Sequence, residues 1–140
     1  MVNARSKGRR GEREVIDEIK SLLGIQLEVN YSQTFGGGHD LLGLDGLAID
    51  VKRRKQITQA DLKNFWEQTT RQATKINLLP CLWFRADRSE WRVMIADLYA
   101  LKKGLFEIED FNIASNISTE LFAAIMREEF NLGTFNTSTQ

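Results

Sequence analysis

The sequence predicts one α/β domain in which a mixed β-sheet is flanked by helices. Residues 8–23 and 58–75 carry apolar side chains at three- and four-residue spacing, which is typical of helices that bury one face. Residues 47–53, 79–85 and 91–95 form shorter apolar runs bounded by turn-forming residues, which is typical of strands. The second long helix lies between two of these strands, and a helical crossover of this kind joins parallel strands.

The first half of the chain is predicted to be a helix followed by three strands. The helix over residues 8–23 ends at Gly24, because glycine readily adopts the backbone conformation of a helix C-terminus. Asp45-Gly46 is a strong hairpin signal, so the strands on either side of it are expected to pair antiparallel. The three strands are expected at residues 27–32, 39–44 and 47–53, with a flexible glycine turn at residues 36–38.

The second half is predicted to contain a long helix, two strands and two peripheral helices. Thr58 can cap the long helix, because its hydroxyl can accept a hydrogen bond from a backbone N–H of the first turn. That helix is expected to run to residue 75. The remaining elements are expected as strands at residues 79–85 and 91–95, a turn at residues 87–89, and helices at residues 96–103 and 119–130.

Length and composition describe one globular domain. A chain of 140 residues with 42% apolar residues can bury a core, and no apolar run approaches the roughly 20 residues of a membrane span. One cysteine and one histidine exclude a zinc site built mainly of those ligands, and Cys81 is expected to be a buried thiol. No secretory signal is expected, because no apolar stretch follows the basic N-terminus. We expect residues 1–132 to form the domain and the polar residues 133–140 to fray.

Zero net charge conceals an asymmetry between the two halves of the chain. Residues 1–75 carry 13 Lys and Arg against 10 Asp and Glu, whereas the remainder carries 6 against 9. The basic residues concentrate at residues 5–13 and 52–55, which suits binding of a polyanion. Solvated surface charge is the alternative. The candidate contacts to a polyanion are Lys7, Arg9, Arg10, Arg13, Arg53, Arg54 and Lys55.

The strand at residues 47–53 carries the strongest chemical signal. Side chains alternate along a strand, so the apolar residues point to one face while Asp50 and Lys52 share the other. An acid and an amine on one face of an otherwise apolar strand are costly unless they pair or bind something. A functional role is therefore favoured, and a surface ion pair is the alternative.

Asp40 is expected beside Asp50. The tight hairpin folds the strand that begins near Asp40 back along the next one, so the two carboxylates face each other. Carboxylates this close repel unless a divalent cation lies between them, and Mg²⁺ suits oxygen ligands. Lys52 would then orient or deprotonate an attacking water and neutralise charge at a scissile phosphate. His39 is a candidate for a phosphate contact or for supporting the metal carboxylate, and proton transfer in catalysis is the less favoured alternative.

Two acids of the first helix are expected to differ in role. At about 100° per residue, Glu12 lies on the side of the helix that carries Val15 and Ile19, whereas Glu14 points away from it. A carboxylate near the sheet needs a partner, which a cation or its water would supply. A favourable interaction with the helix dipole alone is the alternative for Glu12. Glu14 is predicted to be an ordinary surface acid.

The order of these motifs resembles the PD-(D/E)XK nuclease superfamily. The matching segments are Lys7-Gly8, residues 12–16, residues 39–41 and residues 49–52, and the opening is most similar to archaeal-type and viral Holliday-junction resolvases. The resemblance covers residues 5–95. It implies a restriction-endonuclease-like fold, hydrolysis of phosphodiesters that leaves a 3′-hydroxyl, and dependence on Mg²⁺, for which Mn²⁺ would substitute.

The resemblance also implies roles for individual residues. It assigns the catalytic set to Glu12, Asp40, Asp50 and Lys52. The two aspartates would ligate the metal directly, Glu12 through a water and Val51 through its backbone carbonyl. Superfamily members often place a glutamine of the following helix near this site, which makes Gln72 a candidate, and a surface amide is the alternative. The sequence departs from the family at His39, where proline is usual, and at Asp50, where the resolvases usually carry glutamate.

Three functions follow from this resemblance. The first is a homodimeric endonuclease that resolves Holliday junctions in DNA recombination and repair, because two matched cuts require two sites related by a two-fold axis. The second is a nicking or restriction-type enzyme on duplex DNA, and the third is a non-cleaving nucleic-acid-binding module. The expected location is the cytoplasm of a bacterium or a virus-infected host cell, with nucleoid-associated substrate. The apolar residues that could form the dimer interface or complete the core are Phe106, Ile108, Phe111 and Ile113.

Overall fold

One mixed β-sheet with helices on both faces organises the chain in the computed structural model, which describes residues 4–31, 38–105 and 107–129. The side chains of residues 4–7, 98 and 129 are outside this description. The predicted mixed β-sheet flanked by helices is confirmed. In chain order the elements are α1 (Ala4–Leu23), β1 (Glu28–Val29), β2 (Leu41–Leu42), β3 (Leu47–Arg54), α2 (Gln59–Lys75), β4 (Leu79–Ala86), β5 (Arg92–Ala96), α3 (Leu98–Lys103), a 3-10 turn (Phe111–Ile113), β6 (Ala114–Ser118) and α4 (Thr119–Glu129).

The ends of the long helices follow local signals. Gly24 ends α1 with φ 72°, and its N–H donates to the carbonyl oxygen of Lys20 over 2.8 Å, as predicted. Thr58 begins α2 with a capping box: the Asp61 N–H donates to Thr58 Oγ1 over 3.1 Å, and the Thr58 N–H donates to Asp61 Oδ2 over 2.9 Å. The prediction was less accurate at the other end of α1, which begins at Ala4 instead of residue 8.

The hairpin and the helical crossover set the register of the central strands. β2 and β3 pair antiparallel with Leu41 opposite Ile49. α2 then crosses over so that β4 runs parallel to β3, with Leu47 opposite Leu79 at one end. The predicted hairpin and parallel crossover are both confirmed. The strands β1 and β2 are only two residues long, shorter than the predicted ranges 27–32 and 39–44.

Apolar side chains fill both faces of the sheet. On one face, α1 and α4 cover a cluster in which Trp83 of β4 contacts Phe122 of α4, with ring centroids 5.4 Å apart. On the other face, α2 covers a second cluster that contains Trp66 and Leu82. Cys81 is fully buried, as predicted. Because helices cover both faces, a polar side chain on β3 is costly unless it is satisfied or lies at the margin of these clusters.

The region after β4 departs most from the prediction. Ala96 belongs to β5 and Asp97 is the N-cap of α3, so this helix begins two residues later than expected. The prediction also lacks β6, which pairs antiparallel with β5. The β6 sequence Ala-Ser-Asn-Ile-Ser has too few apolar residues to produce a strand pattern, so pairing with β5 decides its conformation.

Apolar residues before β6 complete the core of the subunit. Ile113 is buried, and Ile108 and Phe111 pack half-buried against the cluster beneath α2. These residues are candidates either for a dimer interface or for the core, and the structure places them in the core. Several predicted features lie outside the described residues. They are the end of the first strand at residue 32, the glycine turn at residues 36 and 37, Phe106, the end of the last helix at residue 130, and the tail at residues 133–140.

A membrane-crossing segment would need a long apolar helix, and none of the described helices has the required length and hydrophobicity.

Candidate active site

Asp40 and Asp50 meet where β2 and β3 separate. Leu41 lies opposite Ile49, so the next pair in this register brings Asp40 opposite Asp50. β2 begins at Leu41, so β3 is not paired with this strand beyond that point. The N–H of Val51 instead donates to the Asp40 side chain, at Oδ2, over 2.7 Å. The structure therefore brings the two predicted metal ligands together across the hairpin.

Asn30, which follows β1, holds the backbone on either side of Asp40. The Asn30 N–H donates to the carbonyl oxygen of Asp40 over 2.8 Å, and its side-chain amide donates to the carbonyl oxygen of His39 over 3.0 Å. Asn30 is itself buried. The sequence contains no signal for this contact, because it depends on the pairing of β1 with β2.

Asp50 is a buried carboxyl group. Burial, reinforced by the charge of Asp40, raises the pKa of Asp50 to about 7. The side-chain nitrogen of Gln72, in the amide orientation that its surroundings require, lies 2.9 Å from Asp50 Oδ2 and 3.1 Å from the carbonyl oxygen of Gly38. Gln72 thus connects α2 to Asp50 and to the segment before Asp40.

Glu12 brings a third carboxylate close to Asp40. Its Oε1 atom is buried and has no hydrogen-bond partner among the described residues. Burial first, and the charge of Asp40 second, raise the pKa of Glu12, whereas Arg9 and Arg13 act in the opposite direction. A buried carboxylate oxygen without a partner costs free energy unless a cation or an ordered water satisfies it.

These carboxylates fit a divalent cation. Asp40 raises the pKa of both Glu12 and Asp50, and a cation would relieve that repulsion. Carboxylate oxygens are ligands that Mg²⁺ prefers, and this ion usually retains several waters. Within the described part of the chain, no group of three or more His, Cys, Asp or Glu is arranged to hold a metal by itself. Asp40 and Asp50 would therefore need backbone or water oxygens beside them.

Lys52 lies half-buried on the same face of β3 as Asp50. Its Nζ atom is 5.5 Å from the centroid of the Phe65 ring on α2. The exposed Arg54, next along this face, has its guanidinium carbon 5.4 Å from the same centroid. In the sequence Phe65 belongs to the apolar stripe of α2, and no pattern there distinguishes it from an ordinary core residue.

Glu14 is partly buried and forms ion pairs, so its prediction as an ordinary surface acid is wrong. Its Oε2 accepts a hydrogen bond from Arg53 Nη1 over 3.1 Å, and its Oε1 accepts from Arg85 Nη1 over 2.7 Å and from Trp91 Nε1 over 3.0 Å. Arg53 and Arg85 are paired positions on β3 and β4. Two partly buried guanidinium groups side by side require a carboxylate, and the flank of α1 supplies it.

Arg53 joins α1 to the sheet through Glu14, a structural role that its prediction as a DNA contact does not include. Its side chain is 14% exposed and points to the face of β3 opposite Asp50. Arg53 Nε also lies 3.7 Å from Asp87 Oδ1. Gly11 allows this approach, because a Cβ atom there would lie 3.2 Å from Arg53 Cβ.

Five of the other predicted DNA contacts have exposed side chains. The Arg9 guanidinium lies 5.5 Å from the centroid of the Tyr31 ring, close to the backbone that holds Asp40. The side chain of Lys7 is outside the described residues. The exposed basic residues among the candidates are Arg9, Arg10, Arg13, Arg54 and Lys55.

His39 lies half-buried next to Asp40. Its Nδ1 atom is buried and has no hydrogen-bond partner within the part of the chain that the structure describes. Burial lowers the pKa of His39, and the charge of Asp40 opposes this shift only in part. The neutral imidazole is thereby favoured, which suits a group that accepts or donates a hydrogen bond beside the carboxylates.

Three comparisons relate this chain to known proteins. Residues 3–138 match a family model described as "Phage putative PDDEXK endonuclease". Protein D14 of Escherichia phage T5 is 28% identical, and the match covers 67% of this chain and 71% of that protein. The structure of Hjc, a Holliday junction resolvase from Archaeoglobus fulgidus, is similar over 63% of this chain and 71% of its own, with 24% identity and a TM-score of 0.44.

Proposed function

This chain belongs to the phage PD-(D/E)XK endonuclease family, and from that premise we propose that it is a Mg²⁺-dependent endonuclease that cleaves branched DNA, above all Holliday junctions. Nucleases of this type generally use divalent metals, and Mn²⁺ is expected to substitute for Mg²⁺. The observation that carries the proposal is the meeting of Asp40 and Asp50 across the hairpin. Glu12 lies close to Asp40, and its Oε1 has no hydrogen-bond partner among the described residues.

Each residue of the site has a role in this proposal. A divalent cation, when bound, would polarise the scissile phosphodiester and lower the pKa of an attacking water. Asp40 and Asp50 would hold that cation together with the backbone carbonyl of Val51. Glu12 would orient water, and Lys52 would contact the scissile phosphate and neutralise its developing charge.

The preference for branched DNA is supported by the resemblance of Lys7-Gly8 and residues 12–16 to junction resolvases. The active-site groups suit a duplex-cutting enzyme equally well, because the shape of a substrate is read by surfaces away from the metal. Junction resolution needs two matched cuts, so we include a homodimer in the proposal. Its interface is not assigned, since Ile108, Phe111 and Ile113 are used in the core.

The test is cleavage of a synthetic four-way junction beside a linear duplex and a single strand of the same sequence. The proposal expects paired nicks in the junction with Mg²⁺ or Mn²⁺ and no cleavage with EDTA. Equal cleavage of the linear duplex would favour a restriction-type or nicking enzyme. Binding without cleavage of any of the three would mean a nucleic-acid-binding module.

Lys52→Ala should reduce cleavage by at least about a hundredfold, because the amine would stabilise charge that develops at the phosphate. Mg²⁺ affinity should change little, since the amine is not a metal ligand. Single-turnover cleavage and calorimetric metal titration measure the two quantities. Lys20→Ala is the matched control, because Lys20 is exposed in the last turn of α1 and is not among the candidate DNA contacts. A Lys52→Ala variant with normal turnover would contradict the assignment.

Arg54→Ala should weaken DNA binding and reduce the slope of log K against log salt concentration by about one, as expected for one lost phosphate contact. Arg53→Ala should leave the slope unchanged and instead lower the free energy of unfolding by about 1–3 kcal/mol, because it removes a charged hydrogen bond to Glu14. Fluorescence anisotropy over a salt series and thermal denaturation distinguish the two effects. An equal loss of slope in both variants would show that Arg53 also contacts DNA.

A further inference from the structure

We propose that Phe65 is a positioning residue that holds Lys52 and Arg54 as a fixed pair of cations on the substrate side of β3, an inference that rests on the proposed function. Both cations lie within 5.5 Å of the centroid of this one ring. An aromatic face attracts cations at distances up to about 6 Å. Phe65 comes from α2, so this helix would determine where the two charges stand.

The need for such a residue follows from the geometry of the strand. Lys52 and Arg54 point to the same face two residues apart, where their Cα atoms are separated by about 7 Å and their charges repel. Both side chains are long and lose considerable rotamer entropy when they are fixed. Within the described residues, Lys52 forms no ion pair within 4 Å. The ring of Phe65 is therefore a contact that can hold the lysine in position beside Asp50.

Lys52 and Arg54 would contact two neighbouring phosphates of one nucleic-acid strand. Lys52 is half-buried and shares its strand face with Asp50, so it would meet the scissile phosphate. Arg54 is exposed and lies two residues further along the strand from Asp50, so it would contact an adjacent phosphate. Phe65 should therefore influence turnover through Lys52 and binding through Arg54. A residue with a purely structural role would affect protein stability without a specific effect on turnover or on DNA binding.

Phe65→Leu removes the aromatic face and keeps an apolar side chain, whereas Phe65→Tyr keeps the face. Phe65→Leu should lower kcat by about fivefold to thirtyfold and lower the salt slope of DNA binding by about one. Phe65→Tyr should restore both quantities to near the wild-type values. Phe111→Leu is the matched control, because Phe111 packs half-buried against the same cluster. It should leave kcat and slope unchanged even if the melting temperature falls.

A double variant separates the effect of Phe65 on Lys52 from its effect on Arg54. In an Arg54→Ala background, Phe65→Leu should still lower kcat but should no longer change the salt slope, because the residue through which it acts on binding is gone. Equal losses of kcat in Phe65→Leu and Phe111→Leu, or failure of tyrosine to rescue, would overturn the inference. If the wild-type protein cleaves no DNA, the proposed function fails by itself. The salt slopes of the same variants then decide the Phe65 inference.

Discussion

Asp40→Asn and Asp50→Asn should each reduce DNA cleavage by more than about a hundredfold while DNA binding persists. Loss of a residue that only supports a metal ligand typically costs about 10- to 100-fold, so loss of a direct ligand should exceed that range. Asparagine keeps the shape of the side chain but removes the negative charge that the cation needs. Single-turnover cleavage in Mg²⁺ and anisotropy in EDTA measure the two properties separately.

Asp50→Asn also has an expected effect on stability. The pKa of about 7 for Asp50 in the folded state lies above its ordinary value of 3.8. Between pH 3.8 and about pH 7, the metal-free folded protein therefore binds more protons than the unfolded chain. Its stability decreases as the pH rises through this range. Above pH 7 in EDTA, Asp50→Asn should be at least as stable as wild type. It should also lose most of the Mg²⁺-induced rise in melting temperature.

The matched control for both variants is Asp45→Asn. Asp45 is exposed in the turn between the two strands, and Asn-Gly supports the same hairpin as Asp-Gly. This variant should cleave and bind as wild type does. Near-normal turnover of Asp40→Asn or Asp50→Asn in Mg²⁺ would refute the assignment of that aspartate as a metal ligand.

Glu12→Gln should reduce activity and leave stability unchanged, whereas Glu14→Gln should reduce stability and leave activity unchanged. Glu12→Gln should reduce cleavage by about a hundredfold or more and should not destabilise the protein, because it removes the charge of a half-buried carboxylate whose Oε1 has no hydrogen-bond partner among the described residues. Glu14→Gln should lower the free energy of unfolding by about 1–3 kcal/mol, since its carboxylate binds two guanidinium groups and an indole N–H. Cleavage by the folded Glu14→Gln protein should persist.

Chemical denaturation and cleavage assays on matched amounts of folded protein test this contrast. Asp17→Asn, an exposed acid on the same helix, controls for a simple change in net charge and should alter stability by no more than about 0.5 kcal/mol. A stable Glu14→Gln variant that does not cleave DNA would mean that Glu14, and not Glu12, is the acid that serves the site.

The parts of the site that the sequence predicts are those set by local rules. Strand alternation places Asp50 and Lys52 on one face, and the Asp-Gly turn brings Asp40 opposite Asp50. A capping residue and a terminal glycine are recognisable because each acts within one turn of its helix. These contacts lie within a dozen residues of the chain, so a pattern in the sequence is sufficient to find them.

Only the tertiary structure decides the contacts between distant segments. The environment of Glu14 depends on Arg53 and Arg85, which become neighbours when β3 and β4 pair in parallel. A helical wheel gives the direction of a side chain but not the charges on the sheet that it meets, so it predicts Glu14 at the surface. The polar sequence of β6 becomes a strand because β5 offers it an edge. Such contacts join segments far apart in the chain, and their free energies depend on a register that no local pattern encodes.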